Sequence, residues 1–389
     1  MKVTIAVNGR FWHFHLARQL ERYGLLERIY TSYPSFKLKD EEGIPKDKIT
    51  CFSGFLLLSH FCRCFPLPLR NKMASFLEDL SKEAFDTYVC SKINSPSILI
   101  GISGSSLKSG KKNQTLGGAY ICDRGSTHIR YQEKILRTEY HRWDIPFAGI
   151  SAFTMQKELS EYCIADLVTV PSQVCVDSFV SEGVEKNKII KNPYGSRDNR
   201  FLPCGTPSSS KFCILWVGGI SIRKAFIDAL HAFQALPVQD KCFKVVGIVD
   251  DEIKPLLKKE NLTNVEFLAK VPNLELPALF SASHVFVISS IEEGLAMVVG
   301  EAMACGCPVV ASENSGASEL LKNGVEGFIV PIRSPQIITE KLLFLYENPN
   351  KRFEMGQAAL VRVKDMQGWD RYGQRTVEII DELDRKRKQ

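Results

Sequence analysis

The chain has 389 residues, 44% hydrophobic and 24% charged, the balance of a soluble globular protein too long for one ordinary core. It holds no uninterrupted apolar run of membrane-spanning length, and the opening MKVTIAVNGRFW is too short in apolar residues for a signal peptide, so a cytoplasmic protein is expected. The formal charge of +6 is uneven: residues 1–201 hold 28 Lys/Arg against 21 Asp/Glu, the remainder 22 against 23, which gives the basic excess to the first half.

In chain order, KVTIAV (2–7) predicts a first buried strand, followed by a helix from Phe14 to Tyr23 and a strand in LERIYTS. Between Cys51 and Phe76, aromatics and leucines are mixed with Arg63, Arg70 and Lys72. This stretch reads as a packed helical excursion or as a contact with an anionic membrane surface. SPSILIGIS, GAYICDRG and IADLVTVPS are further strands, and a helix is expected near Ser172 to Glu182. FLPCGTPSSS (201–210) has linker composition. A second strand–helix series then runs through FCILWVGG, AFIDALHAFQAL, FKVVGIVD, VEFLAKV, HVFVISS, PVVAS and GFIVP. The pattern predicts two doubly wound α/β domains, 1–200 and 211–366, joined by 201–210, with 367–389 a helix packing back towards the first domain. Twelve cysteines without a CxxC pair suit reduced, buried thiols, and His60, Cys62 and Cys64 lack partners for a zinc site, so no metal is expected.

Ligands of open α/β sheets bind beyond the carboxyl ends of the strands. At WVGGISIRKAF, Gly218 and Gly219 permit close backbone approach, and Arg223 with Lys224 suit a diphosphate. At EEGLAMVVGEAMACGCPVVAS, a turn at Gly294 leads into a helix near Leu295–Met297 whose free N–H groups suit phosphate. Two acids flank that helix start, Glu293 on the loop and Glu301 among Val298, Val299, Ala302 and Met303. Glu301 could accept from the hydroxyls of a ribose and Glu293 from those of a sugar. In PVVASENSGASEL a further helix is expected near Ala317, with Glu319 as a helix-start acid.

These pieces together resemble the retaining glycosyltransferases of the GT-B fold. EGLAMVVGEAMACGCPVVAS is similar to their Glu-x7-Glu signature, VGGISIRKA to their phosphate loop, and NPYGSRDNRF to their inter-domain segment. ADLVTVPS resembles their last N-domain strand and DRGSTHI their histidine-bearing loop. The resemblance implies that Glu293 contacts the transferred sugar, Glu301 the ribose, and Arg223 and Lys224 the departing diphosphate. The backbone from Gly294 through Leu295 and Ala296 to Met297 would cradle phosphate, with Gly218 and Gly219 nearby. His128 would reach a donor-sugar hydroxyl, and Gly9 and Arg10 would border the acceptor; His13 and His15, near the start of the first helix, read either as acceptor contacts or as packing residues. Gly219, Ala225, Ala296 and Arg197 depart from the usual pattern without removing a group the chemistry needs.

The implied reaction is hexose transfer from a nucleoside diphosphate sugar to an acceptor hydroxyl with retention, without a metal or cofactor, in surface polysaccharide or glycolipid synthesis. The basic first half suits a saccharide or lipid-linked acceptor at an anionic membrane surface, and nothing points to nucleic acid. A nucleotide-sugar epimerase and an inactive sugar-nucleotide-binding subunit are the rivals. A dehydrogenase is excluded, since VNGRFWHF lacks GxGxxG.

Overall fold

The computed structural model describes residues 1–53, 67–195, 200–208 and 210–388. Residues 54–66 of the apolar–basic stretch 51–76, with His60, Cys62 and Cys64 and the centre of the membrane contact expected there, lie outside the described residues, as does Arg197.

The first sheet contains β1 (Val3–Val7), β2 (Leu26–Thr31), β3 (Ile49–Cys51), β4 (Ile98–Ile102), β5 (Ala119–Asp123), β6 (Leu167–Val170) and β7 (Ile189–Lys191) in the spatial order 3-2-1-4-5-6-7. The second contains β8 (Phe212–Val217), β9 (Lys241–Val246), β10 (Val265–Leu268), β11 (Val285–Ile288), β12 (Val309–Ser312) and β13 (Gly327–Val330) in the order 10-9-8-11-12-13. Every pairing within both sheets is parallel. Helices cover both faces of such sheets, so central strands such as VTIAV and VFVI are buried at every residue.

The strand order reverses between β1 and β4 in the first sheet and between β8 and β11 in the second. Helices leave opposite faces at these points, so the loops diverge and open a crevice. In the second domain the crevice is bordered by the loops carrying Arg223 and Glu293. Gly218 after β8 and Gly247 after β9 both have φ near +150° (+148° and +153°), and a Cβ on Gly247 would lie 1.9 Å from the Gly218 carbonyl oxygen. Glycine at both positions lets the two strand ends meet.

The chain crosses between the sheets at 200–208, where the Cys204 N–H donates to Ser281 Oγ at 3.0 Å, and again near Gly368. The terminal helix Gly368–Lys388 lies on the helix His13–Arg22 of the first domain. Gln19 Nε2 donates to Asp370 at 2.9 Å, Asn192 Nδ2 to Thr376 at 3.0 Å, and a Cβ on Gly373 would sit 2.5 Å from Gln19 Cβ. Among the described residues, no helix is long and apolar enough to cross a membrane.

The loop after β12 differs from expectation. Two short 3-10 turns, Glu313–Ser315 and Ala317–Glu319, flank Gly316 at φ +73°, and no α-helix opens at Ala317. Glu319 instead reaches across to the first domain, accepting from the Gln173 N–H at 2.7 Å and pairing with Lys191 at 3.0 Å.

Candidate active site

The β8 loop ends in Ala225, held at φ +52°, from which the helix Phe226–Ala235 starts. This reversal turns Arg223 and Lys224 towards the β11 loop. Arg223 donates from Nη2 to Glu293 at 3.3 Å, and Lys224 Nζ makes a close ion pair with the same carboxylate. Glu293 is 15% exposed and Arg223 38%, so the cluster sits at the cleft wall rather than in the core. The helix Met297–Ala304 begins three residues after Gly294 and carries Glu301 on its partly buried side. Arg223, Lys224 and Glu293 are thus brought together, at the second sheet's switch point, with Gly218 and Gly219 at the mouth of the same β8 loop.

The acid buried at this point is a different one. Glu292 is fully buried and reaches across the cleft. It accepts from Ser126 Oγ, from Thr127 Oγ1 at 2.7 Å and Thr127 N at 3.2 Å, and from Gln132 Nε2 at 3.0 Å. Arg223 Nε approaches it at 3.0 Å. Burial raises a carboxyl pKa, but Arg223 and the Ser126, Thr127 and Gln132 donors outweigh it and hold Glu292 at about 2, so it is ionised at neutral pH. The turn that meets it is held by Arg124, whose Nε donates to Thr127 O at 3.0 Å, Nη2 to Gln132 at 2.8 Å and Nη1 to Glu158 at 2.9 Å. Glu292 is not conspicuous in the sequence because its first-domain partners lie about 160 residues away; the doubled acid in IEEG was the available signal.

Two of the expected site histidines are buried. His128 sits in an aromatic pocket. It is 2% exposed, caps the helix Ile129–Arg142 by accepting from the Arg130 N–H through Nδ1, and packs against Tyr162 and Phe179. Burial, with Arg124 and Arg130 nearby, lowers its pKa to about 4, so the ring is neutral. His13 is likewise sealed, its ring stacked on Trp12 and its Nε2 3.0 Å from Asp123, although that contact is not aligned as a hydrogen bond.

The loop 294–297 is also less open than expected. The Gly294 carbonyl accepts from Ser172 Oγ at 2.6 Å, and the Ala296 N–H donates to Ser315 O at 3.0 Å. A Cβ on Gly294 would lie 1.9 Å from the Gly125 carbonyl oxygen, so this glycine serves close approach of the two domains. Leu295 is buried and Met297 exposed. On the other side of the cleft, Gly9 follows β1 at φ +135°. Arg10 donates to Glu41 at 2.8 Å on the wall of a cavity of about 1120 Å³ that also includes His15, Arg18, Arg200, Lys364 and Trp369. That cavity lies by the crossover between domains and does not include Arg223 or Glu293.

A second bridge spans the domains along the helix Ile129–Arg142. Arg142 makes a two-point pair with buried Asp228 at 2.9 and 2.7 Å, Glu139 pairs with Arg333 at 2.6 Å, and Tyr140 donates to Glu252 at 2.5 Å.

Residues 205–362 match the family Glycosyl transferases group 1. A D-inositol 3-phosphate glycosyltransferase of Pseudarthrobacter chlorophenolicus is 36% identical over 104 residues, 27% of this chain and 24% of its own length. The O-antigen chain mannosyltransferase B of Escherichia coli is 31% identical over 114 residues, 28% of this chain and 30% of its own. Matches to the curated relatives named here thus span under a third of their length. The Anabaena protein Alr3699/HepE, solved in complex with UDP, superposes with a TM-score of 0.68 at 17% identity, covering 98% of this chain and 100% of that one. At that identity the likeness establishes the fold, which is GT-B: two parallel-sheet α/β domains facing across a cleft.

Proposed function

We propose that the protein is a glycosyltransferase acting on a nucleoside diphosphate sugar, a reading supported by the match of residues 205–362 to Glycosyl transferases group 1. One observation carries the reading: Arg223 and Lys224, from the β8 loop, converge on Glu293, from the β11 loop, at the strand-order reversal. Two cations converging on one carboxylate at a crevice edge, each still partly exposed, form a charged group that an anionic ligand can reach and re-pair.

In this proposal the donor diphosphate takes Arg223 and Lys224 from Glu293, and Glu293 turns to hydroxyls of the transferred hexose. Glu301 accepts from the ribose. As the glycosidic bond breaks, negative charge grows on the leaving phosphate, where two preorganised cations stabilise it most. That phosphate then takes the proton of the acceptor hydroxyl on the same face of the sugar, which retains configuration. The cations supply the charge stabilisation, so no metal is assigned. The acceptor is a saccharide or a lipid-linked saccharide of surface polysaccharide synthesis. The basic first half and the name of the Escherichia coli relative support this, and a peripheral contact with an anionic membrane belongs to the same proposal.

The test is thermal denaturation with a panel of nucleoside diphosphates and their sugars, followed by incubation with the labelled donor. A ligand at a hundred times its Kd adds about 2.7 kcal/mol to the folded state. The proposal expects one base to raise the melting point and Glu293→Ala to abolish transfer while the donor still binds. Conversion of the donor without acceptor would point to an epimerase, and failure of every nucleotide to bind refutes the proposal.

A further inference from the structure

Glu292 stands beside the proposed donor groups, yet it is assigned no part of the ligand. Its carboxylate meets five donors: Ser126 Oγ, Thr127 N, Thr127 Oγ1 and Gln132 Nε2 from the first domain, and Arg223 Nε from the second. A carboxylate has roughly four lone-pair sites, so this one has nothing left for a substrate. Arg223 also donates to the Glu292 carbonyl at 3.1 Å, which pins its Nε edge to residue 292 and points Nη2 at Glu293.

We infer that Glu292 is a positioning residue that couples closure of the two domains to the orientation of Arg223. The Ser126–Thr127 turn and Gln132 hold the carboxylate, and the carboxylate holds the guanidinium facing the diphosphate position. When the cleft opens, four of the five donors leave with the first domain, and the acid loses what fixes its direction. Arg223 then keeps only its contacts with the Glu292 carbonyl and Glu293, without the buried carboxylate that fixes its direction, so the full charge-stabilising arrangement exists only in the closed molecule. The inference rests on the donor-site reading above.

An acid that merely sealed the interface would, on being neutralised in a chain that still folds and closes, leave turnover at saturating donor unchanged. Glu292 places a negative charge against the cation proposed to bind diphosphate. Neutralising it makes the donor site one charge more positive, so nucleotide binding strengthens while turnover falls. A damaged fold weakens both.

The experiment uses the full chain, the nucleoside diphosphate that most raises the wild-type melting point, and two variants, Glu292→Gln and the double variant Ser126→Ala/Thr127→Val. Binding is measured by calorimetry and turnover with the matching labelled sugar. For Glu292→Gln the expected result is a kcat lower by about 10²-fold, the scale of an ångström-sized misplacement, with nucleotide Kd tightened at least roughly threefold by the added charge. Ser126→Ala/Thr127→Val, which keeps the charge, lowers kcat by about tenfold or more and leaves Kd within about twofold. Combining all three substitutions adds little further loss, because they break one linkage. Parallel weakening of Kd and kcat in Glu292→Gln, or unchanged kcat in Ser126→Ala/Thr127→Val, overturns the inference while the donor reading stands. Should Glu292→Gln not fold, the hydroxyl variant decides alone. A wild-type protein that binds no nucleoside diphosphate overturns the donor reading and this inference with it.

Discussion

Arg142→Ala is expected to loosen the bridge between the domains by about 2 kcal/mol. Arg142 holds Asp228 by two hydrogen bonds, at 2.9 and 2.7 Å, and the Asp228 side chain is only 1% exposed. Removing one partner of a buried pair costs about 3–5 kcal/mol because a charge is left without compensation. Two features reduce that figure here. Arg142 is 31% exposed, so water can enter where it stood, and Asp228 lies in the first turn of the helix Phe226–Ala235, whose dipole favours an acid. Glu139 keeps Arg333 and the Trp143 indole, so the loss falls on Asp228. For a domain of 150–250 residues, ~2 kcal/mol corresponds to a melting shift of ~4–8 °C. The assay is scanning fluorimetry of Arg142→Ala, Asp228→Ala and the double variant. The double variant recovers part of the loss, since it no longer buries a lone carboxylate. A shift below ~1 °C for Arg142→Ala, or strict additivity in the double variant, would refute the reasoning.

Other predictions address the cleft and its wall. Gly294→Ala places a Cβ 1.9 Å from the Gly125 carbonyl oxygen and 3.1 Å from Pro171, so it forces the domains apart; small-angle scattering should show a larger radius and turnover should fall. Glu301→Ala is expected to weaken donor binding by about tenfold or more, as loss of a charged hydrogen-bond acceptor does, with kcat at saturating donor less affected; equal binding by calorimetry counts against the ribose role. His128 titrates at about 4 in the folded chain against 6.5 unfolded. Its contribution is therefore complete above pH 6.5 and is lost as pH falls towards 4. Between pH 7.5 and 5 the wild type should lose about 2 kcal/mol more than His128→Phe. Equal pH dependence of the two unfolding curves would show that the ring does not sit in the wall.

The local elements were legible because each depends on neighbours along the chain. Apolar runs such as FCILWV and VFVI announce strands buried on both faces, and glycines at 218 and 294 announce turns where backbone must pass close. Arg223 and Lys224 stand at a helix start, where cations are unfavourable without a ligand, so their oddness is visible in sequence. The surroundings of His128 are not legible in this way, because Tyr162 and Phe179, which pack against its ring, come from other helices.

The sequence by itself determined the two βα series, the acidic and basic residues at the strand ends, and the basic character of the first half, all of which follow from residue order and periodicity. Only the tertiary structure decided which acid is buried. Glu292 and Glu293 are adjacent and chemically identical, and one extra step along the chain turns the first into the wall against Ser126 and Thr127 and the second towards Lys224. Desolvation is set by what packs around a group in space, and here those partners come from the other domain.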